Sequence, residues 1–166
     1  MSKELDPQAA TLIQKAIEAG NPEIHELEPL EARRFFAETS KAVAVEKRDV
    51  GRVSEHDIPG PNGNIVVRAY WPSDDVGPFP VLVYFHGGGW VIGDLETHDP
   101  VCRWLSVRAQ CVVVSVDYRM GPENKFPAAV EDCLAATEWA ATPGCLINVD
   151  PTRIAVGGDS AGGNLA

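Results

Sequence analysis

A serine between glycines is the residue of this 166-residue chain best placed to act as a nucleophile. Ser160 lies in the pentad Gly158-Asp159-Ser160-Ala161-Gly162, directly after the apolar residues 154–156. Glycines two positions to either side let a strand and a helix pass close together at a sharp turn. Such a turn projects the hydroxyl at a helix N-terminus, where free N–H groups stabilise negative charge. The pentad predicts a catalytic serine; the alternative is an ordinary glycine-rich turn.

A glycine-rich loop provides the second chemical signal. Residues 86–90 read His-Gly-Gly-Gly-Trp and follow residues 80–85, whose apolar run predicts a buried strand. Acyl transfer needs donors aimed at the oxygen that becomes negative, and bare N–H groups of such a loop can supply them. The alternatives are a phosphate cradle and a flexible turn. Neither G-x-x-x-x-G-K-[ST] nor G-x-G-x-x-G spacing is present, so nucleotide binding is disfavoured.

Three motifs follow one another in the chain: the glycine loop at 86–90, the segment 117–129 with Asp-Tyr-Arg and Phe-Pro-Ala-Ala, and the serine segment 158–164. In order and spacing they resemble the motifs of the hormone-sensitive-lipase-like carboxylesterases, which are α/β-hydrolases. The resemblance is strong from about residue 60 to residue 166 and loose before it. Gly121 and Asn124 stand where relatives usually carry alanine and histidine. Both lie in a connecting loop, so we expect a change in packing and unchanged chemistry.

The resemblance implies a serine carboxylesterase that acts on short- to medium-chain acyl esters through an acyl-enzyme. Ser160 would be the nucleophile, and the N–H groups of Gly88, Gly89 and Ala161 would form the oxyanion hole. The remaining residues receive supporting roles, namely hydrogen bonding within the loop for His86, loop shape for Gly87, and the structure of the elbow for Gly158, Asp159 and Gly162.

The catalytic triad is incomplete in this chain. In this fold the acid and then the histidine follow the nucleophile, yet all four histidines precede Ser160. Because a serine hydroxyl needs a base, we expect the acid and base to lie beyond residue 166. The chain would then be the N-terminal half of an enzyme, or one piece of a nicked enzyme, and inactive alone. An inert fragment and a non-catalytic ligand-binding relative similar to plant gibberellin receptors are the two competing hypotheses.

Strand and helix patterns alternate along the chain, which predicts parallel strands joined by helices. Together with this pattern, the resemblance implies an α/β-hydrolase fold with a mostly parallel central sheet flanked by helices. The resemblance implies that residues 1–45 form N-terminal cap helices over the active site and residues 46–166 the N-terminal half of the catalytic domain. The alternative for residues 1–45 is helices that merely pack on the body. Strands are expected at residues 50–58, 64–71, 80–85, 111–116 and 153–157, helices at 6–20, 29–42, 97–109 and 127–142, and a hairpin turn at 59–63. The strand before Ser160 should be left with an unpaired outer edge.

Side-chain patterns add expectations for two helices and one loop. The helix at 97–109 carries an apolar stripe of Val101, Trp104 and Leu105, and the helix at 127–142 one of Val130, Leu134 and Trp139. Glu131 and Asp132 are expected on a solvated helix face. The loop charges at Asp117, Arg119 and Glu123 are interpreted as hydrogen-bonding ties.

Composition excludes several classes of partner. With 24 acidic and 14 basic residues, the formal charge of −10 disfavours nucleic acid and anionic membranes and favours small-molecule partners, which the resemblance implies are ester substrates. The N-terminus lacks a signal-peptide pattern and no apolar run reaches membrane-spanning length, so a cytoplasmic location is predicted. The four cysteines show no C-x-x-C spacing and are expected to be reduced and buried. No metal or cofactor is expected, and a homodimer stays an open possibility.

Overall fold

The computed structural model of the protein describes residues 5–166 and contains five strands and five α-helices. The strands are β1 (Arg52–Gly60), β2 (Gly63–Trp71), β3 (Phe79–Phe85), β4 (Val112–Val116) and β5 (Val149–Gly158). The α-helices are α1 (Pro7–Glu18), α2 (Pro29–Val43), α3 (Asp99–Ala109), α4 (Ala128–Ala141) and α5 (Ala161–Leu165), with one 3₁₀ turn at Ile24–Glu26. Each predicted element is present, with ends shifted by up to four residues.

The strands form one twisted sheet in the order β1-β2-β4-β3-β5. β1 and β2 form an antiparallel hairpin that closes where Gly60 pairs with Gly63, as the turn residues predict. β2 is antiparallel to β4, whereas β3 is parallel to both β4 and β5, so β2 alone runs against the other four strands. Within residues 5–166, β5 has no partner on its outer side, which is the expected unpaired edge.

Helices cover both faces of the sheet. All five residues of β4 are buried, as expected for an apolar strand between two layers. On one face, the sheet packs against Cys133, Ala136 and Ala140 of α4. On the other face, Tyr84 of β3 packs with Cys102 of α3. This three-layer arrangement fixes the carboxyl ends of β3 and β5 beside each other, where the glycine loop and Ser160 follow.

The apolar stripes predicted for α3 and α4 are wrong in part. α4 buries its small residues, whereas Val130 and Leu134 are 46% and 57% exposed. α3 likewise buries Cys102 and Ser106 and leaves Val101 exposed. Small side chains let a helix approach the sheet closely, so the face that packs is not the most hydrophobic one.

The prediction that Asp132 faces solvent is also wrong, although Glu131 beside it is exposed. The Asp132 side chain is 1% exposed, and both its oxygens accept hydrogen bonds from Arg119 at 2.8–3.0 Å. A bidentate guanidinium compensates the burial of a carboxylate, so sequence polarity alone does not determine its exposure.

The N-terminal helices pack on the body to different extents. α1 begins where the Asp6 carboxylate accepts a 2.8 Å hydrogen bond from Gln8 N, with Pro7 at the first helical position. No residue of α1 is buried, whereas α2 buries Ala32. Residues 1–4 of the predicted cap lie outside the described part of the chain, and the cap assignment of residues 1–45 stays a prediction.

The cysteines are free thiols, three of them buried and Cys145 half-buried. None of the helices in the part of the chain that the structure describes has both the length and the apolar character needed to cross a lipid bilayer. The same residues contain no group of three or more His, Cys, Asp or Glu side chains arranged to hold a metal ion.

Candidate active site

Ser160 lies in the two-residue turn between a strand and a helix. β5 ends at Gly158 and α5 begins at Ala161, with Ser160 at φ 49° and ψ −117°. A positive φ is rare for a residue with a side chain, and such strain concentrates at functional sites. The residue is exposed, and its hydroxyl makes no hydrogen bond to any other residue in 5–166. The hydroxyl is therefore open to a ligand.

Two glycines bring this turn against the end of β3. A Cβ on Gly158 or on Gly162 would overlap the carbonyl oxygen of Phe85. Backbone therefore touches backbone where β5 turns into α5, and no larger residue fits at either position. Because Phe85 immediately precedes the glycine loop, this contact sets the loop beside Ser160.

Within residues 5–166, the glycine loop pairs its carbonyls but leaves the N–H groups of Gly88 and Gly89 without an acceptor. Gly88 O accepts from the N–H groups of Val91 and Ile92 at 3.1 and 3.0 Å, and Trp90 O accepts from Gly121 N at 2.7 Å. In contrast, the N–H groups of Gly88, Gly89 and Ala161 donate to no acceptor within residues 5–166. Three unpaired amides near an exposed hydroxyl are the donors that an oxyanion requires.

The carboxylate of Asp159 joins the elbow to the loop. Its Oδ1 accepts from Tyr84 Oη at 2.7 Å and from Gly87 N at 3.0 Å, and lies 3.4 Å from His98 Nε2. Partial burial alone would raise the pKa of this carboxyl, but the Tyr84 hydrogen bond, the nearby His98 and the Gly87 N–H together hold the pKa below its ordinary value. Asp159 was predicted to act within the elbow; its contacts extend across the site.

Sequence reasoning missed Tyr84 and His98. Tyr84 lies in an apolar strand where its hydroxyl gave no signal, and His98 sits just before α3 with no motif around it. Only the β3–β5 pairing brings Tyr84 and Asp159, 75 positions apart, into contact.

His86 is buried beneath the loop and lies where a loop-holding residue is expected. Its Nδ1 is 2.8 Å from Gly87 O, and its ring stacks on Tyr118 with a centroid separation of 4.4 Å. The Tyr118 hydroxyl donates to His86 O at 2.6 Å. Burial is the main cause that lowers the pKa of the His86 ring, which therefore stays neutral near pH 7.

The lowered pKa of His86 predicts a loss of stability in mild acid. Below pH 6.5 this histidine is protonated in the unfolded chain but not in the folded protein. The free energy of unfolding therefore decreases as the pH is lowered, until the pKa of the folded state is reached. One such group contributes at most about 1.4 kcal/mol per pH unit. Urea unfolding of the full-length protein between pH 7.5 and 5 should show this slope, and His86→Gln should reduce it more than His25→Gln does. Equal slopes in all three proteins would contradict the assignment.

An apolar cavity of about 600 Å³ adjoins Asp159 and His98. The C-terminal end of α2 and the start of α3 form most of its walls. Besides Asp159 and His98, the lining consists of Ser40, Val43, Ala44, Val45, Tyr84, Thr97, Pro100, Val101 and Trp104. A mostly apolar space with a few polar groups in its lining is typical of a small-molecule site.

Comparison with known proteins agrees with this geometry. Residues 82–166 match a family described by its alpha/beta hydrolase fold. The chain belongs to the α/β-hydrolase family. The resemblance of its motifs to the hormone-sensitive-lipase-like carboxylesterases is confirmed, since its relatives are named esterases and carboxylesterases.

Three relatives of this α/β-hydrolase illustrate the match. Esterase LipI of Mycobacterium tuberculosis is 54% identical over 117 residues, which are 69% of this chain and 37% of LipI. An arylesterase of Saccharolobus solfataricus is 37% identical over 161 residues, covering 97% of this chain and 52% of the relative. The structure of a hyperthermophilic esterase from Pyrobaculum calidifontis superposes with a TM-score of 0.91 at 43% identity, covering 98% and 51% of the two chains. The chain thus spans about a third to a half of these relatives.

Proposed function

We propose that the protein is a serine carboxylesterase that acts on short- to medium-chain acyl esters through an acyl-enzyme. The observation that carries this proposal is an exposed Ser160 at positive φ, close to three backbone amides that have no acceptor within residues 5–166. The names of its relatives support the same reaction class.

In the proposed reaction, Ser160 Oγ attacks the ester carbonyl while a base takes its proton. The carbonyl oxygen becomes negative and accepts hydrogen bonds from the N–H groups of Gly88, Gly89 and Ala161. The alcohol leaves with a proton, and water then attacks the acyl-enzyme to release the acid and regenerate the serine. Neither cofactor nor metal takes part in this scheme.

The base and its carboxylate have no candidates within the described residues 5–166. His86 is buried and neutral, with Nδ1 on Gly87 O, and His98 is directed at Asp159 and Thr97. The Ser160 hydroxyl contacts neither ring by a hydrogen bond. We therefore propose that an aspartate or glutamate and a histidine from the C-terminal half of the fold, beyond residue 166, complete the triad.

The apolar cavity next to Asp159 suits the acyl or alcohol part of a small ester. α2 supplies Val43 to the cavity wall, and Trp104 of α3 lies in the same lining. This contribution supports the proposal that residues 1–45 act as a cap on a catalytic domain that begins near residue 46. Lipase activity, a homodimer and a cytoplasmic location stay predictions from the sequence.

Hydrolysis by the full-length protein tests the proposed reaction. With p-nitrophenyl esters of increasing chain length, we expect turnover that is highest for acetate to hexanoate and lower for long chains. Rapid mixing with p-nitrophenyl butyrate should show a burst of nitrophenol near one equivalent per protein if deacylation is slow. Residues 1–166 alone should give no burst, because they lack the base. Absence of turnover by the full-length protein with every ester would refute the proposal, and ligand binding without turnover would support the receptor-like alternative.

A further inference from the structure

One side chain of α2, that of Arg33, holds the C-terminal end of the glycine loop. The guanidinium of Arg33 donates from Nε to Val91 O at 2.7 Å and from Nη2 to Gly121 O at 2.7 Å. The N–H of the same Gly121 donates to Trp90 O at 2.7 Å. Two consecutive carbonyls, at the last loop residue Trp90 and at the following Val91, are therefore fixed by Arg33, the second directly and the first through Gly121.

Glu123 fixes the orientation of this guanidinium. Its two oxygens accept from Nη1 and Nη2 of Arg33 at 2.9 and 2.6 Å. The hydrogen bond from Arg33 is the main cause that lowers the pKa of Glu123 to about 2, so the pair stays ionised throughout the range in which esterases are assayed. A planar guanidinium serves both carbonyls and this carboxylate at once, which an ammonium group cannot do with the same geometry.

The carbonyls of Trp90 and Val91 lie close in the chain to the amides of Gly88 and Gly89, which are proposed to bind the oxyanion. Trp90 directly follows Gly89, and Gly88 O, which accepts from Val91 N, lies in the same peptide plane as the Gly89 N–H. A shift of residues 90–91 therefore turns the Gly89 amide directly and the Gly88 amide through the chain. The direction of an N–H group follows its peptide plane. Without the Arg33 contacts, the N–H groups of Gly88 and Gly89 would still be present, but they would point less accurately at the oxyanion.

We propose that Arg33 is a positioning residue that couples the cap helix α2 to the amides of Gly88 and Gly89. This inference rests on the proposed esterase function and deepens it. A merely structural role, in which Arg33 only fastens α2 to the body, is the competing explanation, and it predicts changes in stability without a selective loss of oxyanion binding.

Replacing Arg33 by methionine in the full-length enzyme tests the inference, with Arg34→Met as the matched control on the exposed side of the same helix. Misplaced catalytic groups reduce rates by up to about 100-fold, so we expect kcat to fall roughly 10- to 100-fold while KM changes by less than about threefold. Arg33→Lys should recover part of the loss, because lysine reaches one carbonyl. Arg34→Met should retain wild-type kcat.

The inhibition constant of a trifluoromethyl ketone distinguishes a positioning role of Arg33 from a purely structural one. The ketone forms a hemiketal with the serine whose oxyanion needs the same amides as the transition state. In Arg33→Met its inhibition constant should rise by the same factor as kcat/KM falls, while that of the product butyrate stays within about twofold. An unchanged kcat, an unchanged inhibition constant for the ketone, or an equal loss in Arg34→Met would overturn the inference.

Glu123→Gln covers the case in which Arg33→Met does not fold. Glu123 is exposed and bonds only to Arg33 among the described side chains, so the variant should fold. It should lower kcat about three- to tenfold and weaken the ketone in parallel; wild-type values for both would overturn the inference. Failure of the proposed function itself looks different, because the wild-type enzyme would then show no ester hydrolysis.

Discussion

Ser160→Ala is expected to reduce kcat/KM of the full-length enzyme for p-nitrophenyl butyrate by about 10⁴-fold or more. No covalent intermediate can form without the hydroxyl, and only binding and oxyanion stabilisation remain. The hydroxyl makes no hydrogen bond within the described residues, and alanine has a similar size, so the free energy of unfolding should change by less than about 0.5 kcal/mol. Steady-state kinetics together with thermal unfolding measure both quantities.

Ser73→Ala is the matched control for this variant. Ser73 lies just after β2 and bonds locally to Asp75, away from the glycine loop. Its replacement should leave kcat/KM within about twofold of wild type. Residual activity of Ser160→Ala above one part in ten would show that another residue is the nucleophile.

Gly88→Ala is expected to reduce kcat by about 10²- to 10³-fold, the range measured when one oxyanion donor is lost. Gly88 has φ 124°, and an added Cβ would overlap the carbonyl oxygen of Ile92. Either the loop shifts or the backbone dihedral angles of residue 88 change, and in both cases the N–H group of residue 88 points in a new direction. KM should change far less than kcat, because the amides bind the transition state more strongly than the ester.

Gly144→Ala separates misdirection of the amide from general strain. Gly144 also has positive φ, at 75°, but no atom lies within 4 Å of the added Cβ. Both variants should lose about 1–3 kcal/mol of stability from the disfavoured φ, yet only Gly88→Ala should lose activity. Comparable kcat values in the two variants would mean that Gly88 has no part in catalysis.

The sequence predicted the fold well because hydrophobic periodicity and turn residues are local signals. The hairpin at Gly60 and Gly63, the buried β4 and the strand-turn-helix around Ser160 each follow from short stretches of sequence. Family membership followed from three spaced motifs for the same reason.

Local sequence patterns did not predict contacts between residues that are far apart in the chain. Sequence polarity places Asp132 on a solvated face, whereas in the fold Arg119 binds its carboxylate. The face of α4 with small residues packs inward, although Val130 and Leu134 are more hydrophobic. Arg33 carried no motif at all, and only the fold brings it to Val91, 58 positions away. Such pairings depend on tertiary geometry, which periodicity does not encode.

A crystal structure of the full-length enzyme inhibited by a p-nitrophenyl alkylphosphonate tests the central claim most directly. Phosphorus should be bonded to Ser160 Oγ, and the phosphoryl oxygen should lie about 2.7–3.1 Å from the amide nitrogens of Gly88, Gly89 and Ala161. Phosphorus on a different residue, or a phosphoryl oxygen that contacts none of these three amides, would contradict the account.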